Sequence, residues 1–151
     1  MVGVLSPSKI EKLLQSEAIG RLGCQQNGRV YVVPLNFGYD GDYIYAHSKE
    51  GLKIEIMREN PEVCFEVDRW EEDGGWRSAI VWGTFEEFST VKAQRAAMRV
   101  YARQMARVIP NYKSMPSHGF VRGNKSYTDP FKSVVFGIRI KERTGRYEKK
   151  E

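Results

Sequence analysis

Cysteine and histidine are both scarce, with two of each in 151 residues. A disulfide framework is therefore excluded, and Cys24 and Cys64 are expected to be buried, inert and reduced. No metal site can be assembled from His47, His118 and two cysteines forty residues apart. A Cys–His nucleophile pair is disfavoured, because both cysteines fall within strand-like runs. No apolar stretch approaches the roughly 18 residues of a membrane helix, and the N-terminus lacks a signal-peptide pattern. The expected compartment is the cytoplasm, with no membrane partner. Walker and Rossmann glycine fingerprints are missing too, as are internal repeats and low-complexity segments. What remains, with 41% hydrophobic and 28% charged residues, has the composition and length of one folded domain, residues 1–151.

The net charge of +5 conceals a segregation. Residues 1–61 balance seven Lys/Arg against seven Asp/Glu, and residues 62–91 carry two against eight. Residues 92–128 then carry eight basic residues and no acidic one, and residues 129–151 seven against four. Such a split steers an anionic partner or is neutralised within the fold or across a dimer, and the second reading is favoured.

Along the chain, Ser6-Pro7 suits a helix start, followed by Ile10, Leu13 and Leu14 on one face. Residues 18–25 read as a strand, Asn27-Gly28 as a two-residue hairpin turn, and residues 29–38 as the returning strand with Tyr31, Val33, Leu35 and Phe37 in phase. A turn at residues 40–42 leads to a strand over 43–47, which predicts a three-stranded meander. A helix over 48–60 ends at Pro61, and Val63, Phe65 and Val67 alternate along the next strand. A long strand over 76–88 carries Ser78, Ile80 and Trp82 on one face. Ser89 or Thr90 caps a third helix reaching Ile109, residues 111–130 read mostly as loop, and residues 133–142 as the last strand. The tally is about six strands and three helices, mainly β (α+β). Consecutive hairpins exclude a doubly wound parallel sheet and favour a small antiparallel barrel with flanking helices.

Three places offer chemistry. Pro34 lies mid-strand and cannot donate to a ladder, so its strand is an edge or bulges there, leaving backbone groups beside Leu35 and Asn36 for a flat ligand. The run from His47 through Ser48, Gly51 and Lys53 passes from a strand end into a helix start, where free N–H groups and the dipole favour an anion. Ser48 is read as a cap or donor there. Finally, Arg95, Arg99, Arg103 and Arg107 recur every four residues, drifting about 40° per step, and form one basic ridge. A solvated face, or pairing with Glu71, Glu72 and Asp73, is preferred over a nucleic-acid surface.

In this order and spacing, Gly20-Arg21-Leu22-Gly23, Val32-Val33-Pro34-Leu35-Asn36-Phe37, Ile44-Tyr45-Ala46-His47-Ser48 with Gly51 and Lys53, Asn60 to Asp68, Trp76-Arg77-Ser78 with Gly83, and Val135-Phe136-Gly137-Ile138 carry a resemblance. The chain resembles the pyridoxamine 5'-phosphate oxidase-like superfamily of FMN-binding split barrels, over residues 5–145. Its nearest likeness is to the branch related to 5-nitroimidazole resistance proteins. The resemblance implies a six-stranded antiparallel split β-barrel, usually a homodimer with flavin at its interface. It places Pro34, Leu35 and Asn36 beside the isoalloxazine ring. Ala46, His47 and Ser48 would lie near the ring or ribityl chain, and Gly51 and Lys53 at the phosphate. Trp76 and Ser78 would line the site from a neighbouring strand. His47 is the candidate proton donor. The full oxidase's arginine-rich phosphate motif and pyridoxal-binding C-terminus are not evident, which argues against vitamin B6 oxidation. The implied function is an FMN-dependent reductase taking electrons from NAD(P)H to a nitroaromatic or quinone-like small-molecule acceptor. Deazaflavin and haem are the alternative cofactors. The alternative functions are a non-catalytic flavin- or nucleotide-binding module for storage or sensing and, least favoured, a nucleic-acid-binding basic barrel.

Overall fold

Asn27 and Gly28 adopt the two left-handed conformations (φ 52° and 76°) that a tight two-residue hairpin requires. That turn joins β2 (Ile19–Gln26) to β3 (Arg29–Asn36) in unbroken antiparallel register, from Ile19 opposite Asn36 to Gln26 opposite Arg29. The computed structural model describes residues 1–112 and 133–150, so most of the expected loop over 111–130, with His118, lies outside the described residues. The remaining elements are β1 (Val2–Val4), α1 (Pro7–Ser16), β4 (Gly38–Tyr39), β5 (Tyr43–Ser48), α2 (Leu52–Glu59), β6 (Glu62–Trp70), β7 (Trp76–Glu87), α3 (Val91–Val108) and β8 (Val134–Glu148).

All strand pairs are antiparallel, in the order β3-β2-β6-β7-β8-β5-β4, with β1 added along β8. The expected antiparallel split barrel with flanking helices is thus present, with eight strands rather than six because β1 and β4 are short additions. The expected three-stranded meander does not form. β3 and β4 are the two ends of the sheet, and β5 pairs with β8 instead of β3. Phe37 is the pivot: fully buried, it meets Phe65 edge-on at 5.0 Å while its N–H donates to the Ala18 carbonyl. Burying that ring carries the chain across the split, so the strand cannot continue.

The core follows the alternation in the sequence. Leu22, Phe65, Val67, Val81, Phe136 and Ile138 all point inward with no exposed surface, and α1 lays Ile10, Leu13 and Leu14 over one opening. Each such side chain contributes about 1.5–3 kcal/mol on burial. β8 runs six residues beyond its expected end because Lys141 bulges opposite the Trp82/Gly83 step. The bulge reverses the inward phase, so that Arg143, Gly145 and Tyr147 face in where Phe136, Ile138 and Ile140 did.

A second cluster forms outside the barrel wall, where Ala97, Met98, Tyr101 and Met105 of α3 meet Ala18 and Val135. The helix starts as expected, with Thr90 Oγ1 accepting from the Ala93 N–H at 3.2 Å. Ser6 occupies the equivalent position of α1 but makes no capping bond; its hydroxyl meets Ser8. Gly38 brings β4 against α3 so closely that a Cβ there would lie 2.5 Å from the Tyr101 Cα. Gln104, buried in this seam, accepts from the Tyr39 N–H at 2.7 Å and donates to the carbonyls of Leu14 and Glu17 at 2.9 and 2.7 Å. It thereby satisfies carbonyls left open where α1 ends. The four ridge arginines are all exposed. Arg107 donates to the Gln15 carbonyl, whereas the acidic Glu71 pairs with Arg77 rather than with α3. Among the described residues no ion pair joins the ridge.

Candidate functional site

The path from β5 into α2 is where the local sequence leaves backbone groups open. Ala46 is fully buried and pairs with Phe136, so it offers a ligand no side chain. His47 lies on the opposite face, beneath α3, with its ring edge-on to Tyr101 at 5.1 Å and Nδ1 3.2 Å from the Ser133 hydroxyl. Ser48 ends the strand and donates to the Lys49 carbonyl at 3.0 Å. It does not cap the helix. The extended segment runs on to Gly51, which occupies the N-cap position of α2 and has no side chain to fill it. The first-turn N–H groups are therefore left without a side-chain cap, at the positive end of the helix dipole.

A clamp holds this approach in place. Arg58 donates to both carboxylate oxygens of Glu50 at 2.8 Å and to Glu87 at 2.7 and 2.9 Å. The loop before α2 is thus tied to the end of β7, and the bonds from Arg58 hold the Glu87 carboxyl below its ordinary range. Lys53 sits half-buried in the first turn of α2, with no ion pair among the described residues. Its charge reaches Cys24: burial and then Cys64 push that thiol up, and Lys53 acts against them. The far end of α2 is fastened to the β2–β3 hairpin, through Asn60 Nδ2 to the Gln25 carbonyl at 2.8 Å and through Gln26 to Glu59. The helix consequently bridges the strand that carries His47 and the hairpin that carries Pro34.

On that hairpin Pro34 needs no bulge. β3 is an edge strand, so it keeps its full register with β2 and leaves its other side open. Leu35 packs on the core, while Pro34 and Asn36 are exposed and Asn36 Nδ2 donates to the Ala18 carbonyl at 2.9 Å. Beside Pro34, on the same outer face, stands Arg21, paired with Asp68 at 2.9 Å and 4.0 Å from Glu66. Ser78 Oγ donates to Glu66 at 3.1 Å. Desolvation, then repulsion from Asp68, pushes the Glu66 carboxyl up, with Ser78 and Arg21 opposing.

The structure therefore gathers Ala46, His47, Ser48, Gly51 and Lys53 at one junction, whereas Pro34, Leu35 and Asn36 lie at the end of the hairpin away from Gln25 and Gln26, where α2 is tied. Trp76 and Ser78 stand apart on β7, with β2 and β6 between them and β3. Trp76 donates through Nε1 to Glu148 at 2.9 Å. Sequence reasoning missed the Arg58 clamp and the Arg21–Glu66–Asp68 cluster. The latter had a signal, since Glu66 and Asp68 share one face of a strand whose other face is Phe65 and Val67.

Among the described residues no helix is long and apolar enough to cross a membrane. A family model described as pyridoxamine 5'-phosphate oxidase matches residues 6–147. The chain is 33% identical to an FAD-binding protein from Mesorhizobium loti, with 99% of each chain covered and a TM-score of 0.74. Its fold is similar to that of a candidate 5-nitroimidazole antibiotic resistance protein from Bacteroides thetaiotaomicron, at 24% identity, 97% and 87% coverage and a TM-score of 0.75. An uncharacterised protein of Rhizobium meliloti is 24% identical over 96% of this chain and 94% of its own length. With nearly the whole length matched and the split barrel in place, the chain belongs to the pyridoxamine 5'-phosphate oxidase family.

Proposed function

We propose that this protein binds FMN as a homodimer and reduces nitroaromatic or quinone-like small molecules with electrons from NAD(P)H. The observation that carries the reading is the start of α2, where open N–H groups, Gly51 and Lys53 meet in one turn clamped by Arg58. That donor set fits a phosphate monoester. The open edge of β3 fits a flat ring that hydrogen-bonds along its rim. When bound, FMN would supply two-electron chemistry between a nicotinamide donor and the acceptor.

The chain's own part is orientation, charge and water exclusion. Lys53 and the α2 N–H groups hold the phosphate, and the β3 backbone at Pro34–Asn36 aligns the ring. His47 is the nearest titratable side chain on β5 and the candidate proton donor. The homodimer is supported by the outer face beside this edge. There Ile19, Val30, Val32 and Trp82 are 46%, 68%, 60% and 39% exposed, and a hollow of about 290 Å³ opens between Val30, Val32, Cys64 and Trp82. Val30, Val32 and Trp82 around that hollow form an apolar patch of the kind a second copy would cover. The FAD bound by the Mesorhizobium relative shows that a close family member takes a flavin.

The test is an absorbance scan after loading with FMN and gel filtration. Near-stoichiometric flavin at dimer mass is expected, with turnover when NAD(P)H and a nitroaromatic are added. Lys53→Ala should weaken FMN binding and leave riboflavin binding nearly unchanged. No retained flavin and no fluorescence quenching would overturn the cofactor assignment, bringing deazaflavin and haem forward. Retained flavin that NAD(P)H does not reduce would favour a storage or sensing module.

A further inference from the structure

Where β6 turns into β7, the loop over residues 71–75 stands beside the start of α1 and the end of β8, and a cleft of about 940 Å³ opens between them. That volume is in the range of small-ligand sites. One wall is aromatic: Trp70 is 68% exposed, with its ring centroid 6.5 Å from that of Trp76 at a 43° tilt. Trp76 is fixed by its bond to Glu148, so the pair presents one held ring and one open face.

The charges on the cleft are unequally used. Among its carboxylates, Glu71 pairs with Arg77, whereas Glu72 has no ion pair among the described residues, and Asp73 and Glu148 accept from the neutral Gly75 N–H at 2.8 Å and Trp76 Nε1. Its lysines are not neutralised: among the described residues Lys9, Lys12, Lys149 and Lys150 have no ion pair. Lys9 and Lys149 gather at the third aromatic, with ammonium groups 5.9 and 6.0 Å from the Tyr147 ring centroid. The lining carries six cationic side chains against four carboxylates, and an exposed indole next to this positive balance matches a ligand that is flat and aromatic at one end and anionic at the other.

We infer that this cleft binds a nucleoside diphosphate moiety, its base on Trp70 and its phosphates among Lys12, Lys149 and Lys150. The moiety occurs in a free nucleotide and as the ADP half of FAD or NAD(P)H. A single cleft of this size suits one such moiety rather than a strand of nucleic acid. The site stands on its own residues and does not require the α2 phosphate site to hold flavin.

The experiment uses the full chain carrying Trp82→Phe, so that both remaining indoles lie on the cleft, and follows their fluorescence during titration with ADP, adenosine and pyrophosphate. ADP should quench saturably and bind at least tenfold more tightly than either fragment. Trp70→Ala should weaken ADP about tenfold, and Lys12→Ala/Lys150→Ala should weaken it and flatten its salt dependence. All these side chains are exposed, and unchanged circular dichroism checks that the variants fold. Tighter binding of FAD than FMN, lost in Trp70→Ala, assigns the moiety to the flavin dinucleotide. Displacement of ADP by NADPH assigns it to the hydride donor. No ADP binding, or binding indifferent to both sets of variants, overturns the proposal; so does an oligonucleotide that outcompetes ADP at equal phosphate concentration. Because FMN loading is scored separately by absorbance, failure here leaves the flavin reading untouched, and the reverse.

Discussion

Replacing Gln104 by leucine should be among the most damaging conservative changes in this chain. The side chain is 1% exposed and makes three hydrogen bonds, each to backbone: one from the Tyr39 N–H and two to the Leu14 and Glu17 carbonyls. Leucine keeps the volume and removes all three. Leaving a buried backbone group unsatisfied costs about 1–3 kcal/mol. Two of these bonds are fully buried and the Glu17 carbonyl is only partly so. Part of the loss is offset because no amide must then be desolvated. The expected net loss is about 3 kcal/mol, which lowers Tm by about 6–12 °C at this chain length. Urea unfolding at fixed protein concentration measures it, with the midpoint falling by about 1–3 M. Hydrogen exchange localises it, since the Tyr39 amide should lose protection first. Gln104→Glu makes the companion case: an ionised carboxylate would face the two carbonyls, so its folded-state pKa is raised. That variant should be destabilised at neutral pH and recover as pH falls through the raised pKa. If Gln104→Leu stays within about 0.5 kcal/mol of the parent, the bonds do not anchor α3 as argued.

Glu66→Gln tests the outer cluster: because the folded-state pKa of Glu66 is raised, the native state holds its proton more tightly, and this residue makes stability fall as pH rises from its ordinary 4.5 through the raised value. The variant should flatten that slope in thermal melts, and an unchanged slope would show that Glu66 titrates normally. Gly38→Ala places a methyl against the α3 backbone and should cost about 1–3 kcal/mol, read as a lower urea midpoint with less protection in α3; a neutral effect would mean that the helix shifts freely. Val32→Asp alters only an exposed side chain of the edge strand, so it should leave the melting of the barrel nearly intact while moving the gel-filtration mass from dimer to monomer. A dimer that survives it would place the partner surface elsewhere.

How far these features could be read from the sequence depends on whether the information is local. Asn27-Gly28 dictated its turn because only residues tolerant of positive φ fit there. Thr90 announced α3, and the apolar alternation in β3 and β6 fixed which face of each strand turns inward. In β7 both faces carry apolar residues, and the structure buries Ala79, Val81 and Phe85 rather than the face of Ser78, Ile80 and Trp82 that the sequence singled out. Alternation does not say which strand lies alongside, and so the split between β3 and β4 was invisible. The far half of β8 was missed because Lys141 bulges and Arg143 faces inward among exposed charges, which erases a period of two. The edge position of Pro34 was legible from its missing N–H, and Lys53 falls in the first turn of a helix as the sequence placed it. Gly51 as the true helix start was obscured by Ser48, a better cap by composition but three residues too early. Arg58 and Gln104 act through partners 8 to 90 positions away, and no local pattern marks them.

β8 has a further consequence for how the chain is made. It pairs with β7, β5 and β1, so it supplies the neighbour of three separate earlier segments. During synthesis all three wait with open edges until β8 leaves the ribosome. At about 5–20 residues per second, the interval between completion of β5 and arrival of β8 lasts several seconds. During it, the apolar face of β5, joined by that of β7 once Glu87 has been added, can meet those of other nascent chains. Yield of this protein should therefore depend on translation speed and holding chaperones more than its folded stability would suggest, and a ribosome stalled before Val134 should produce a species prone to aggregate.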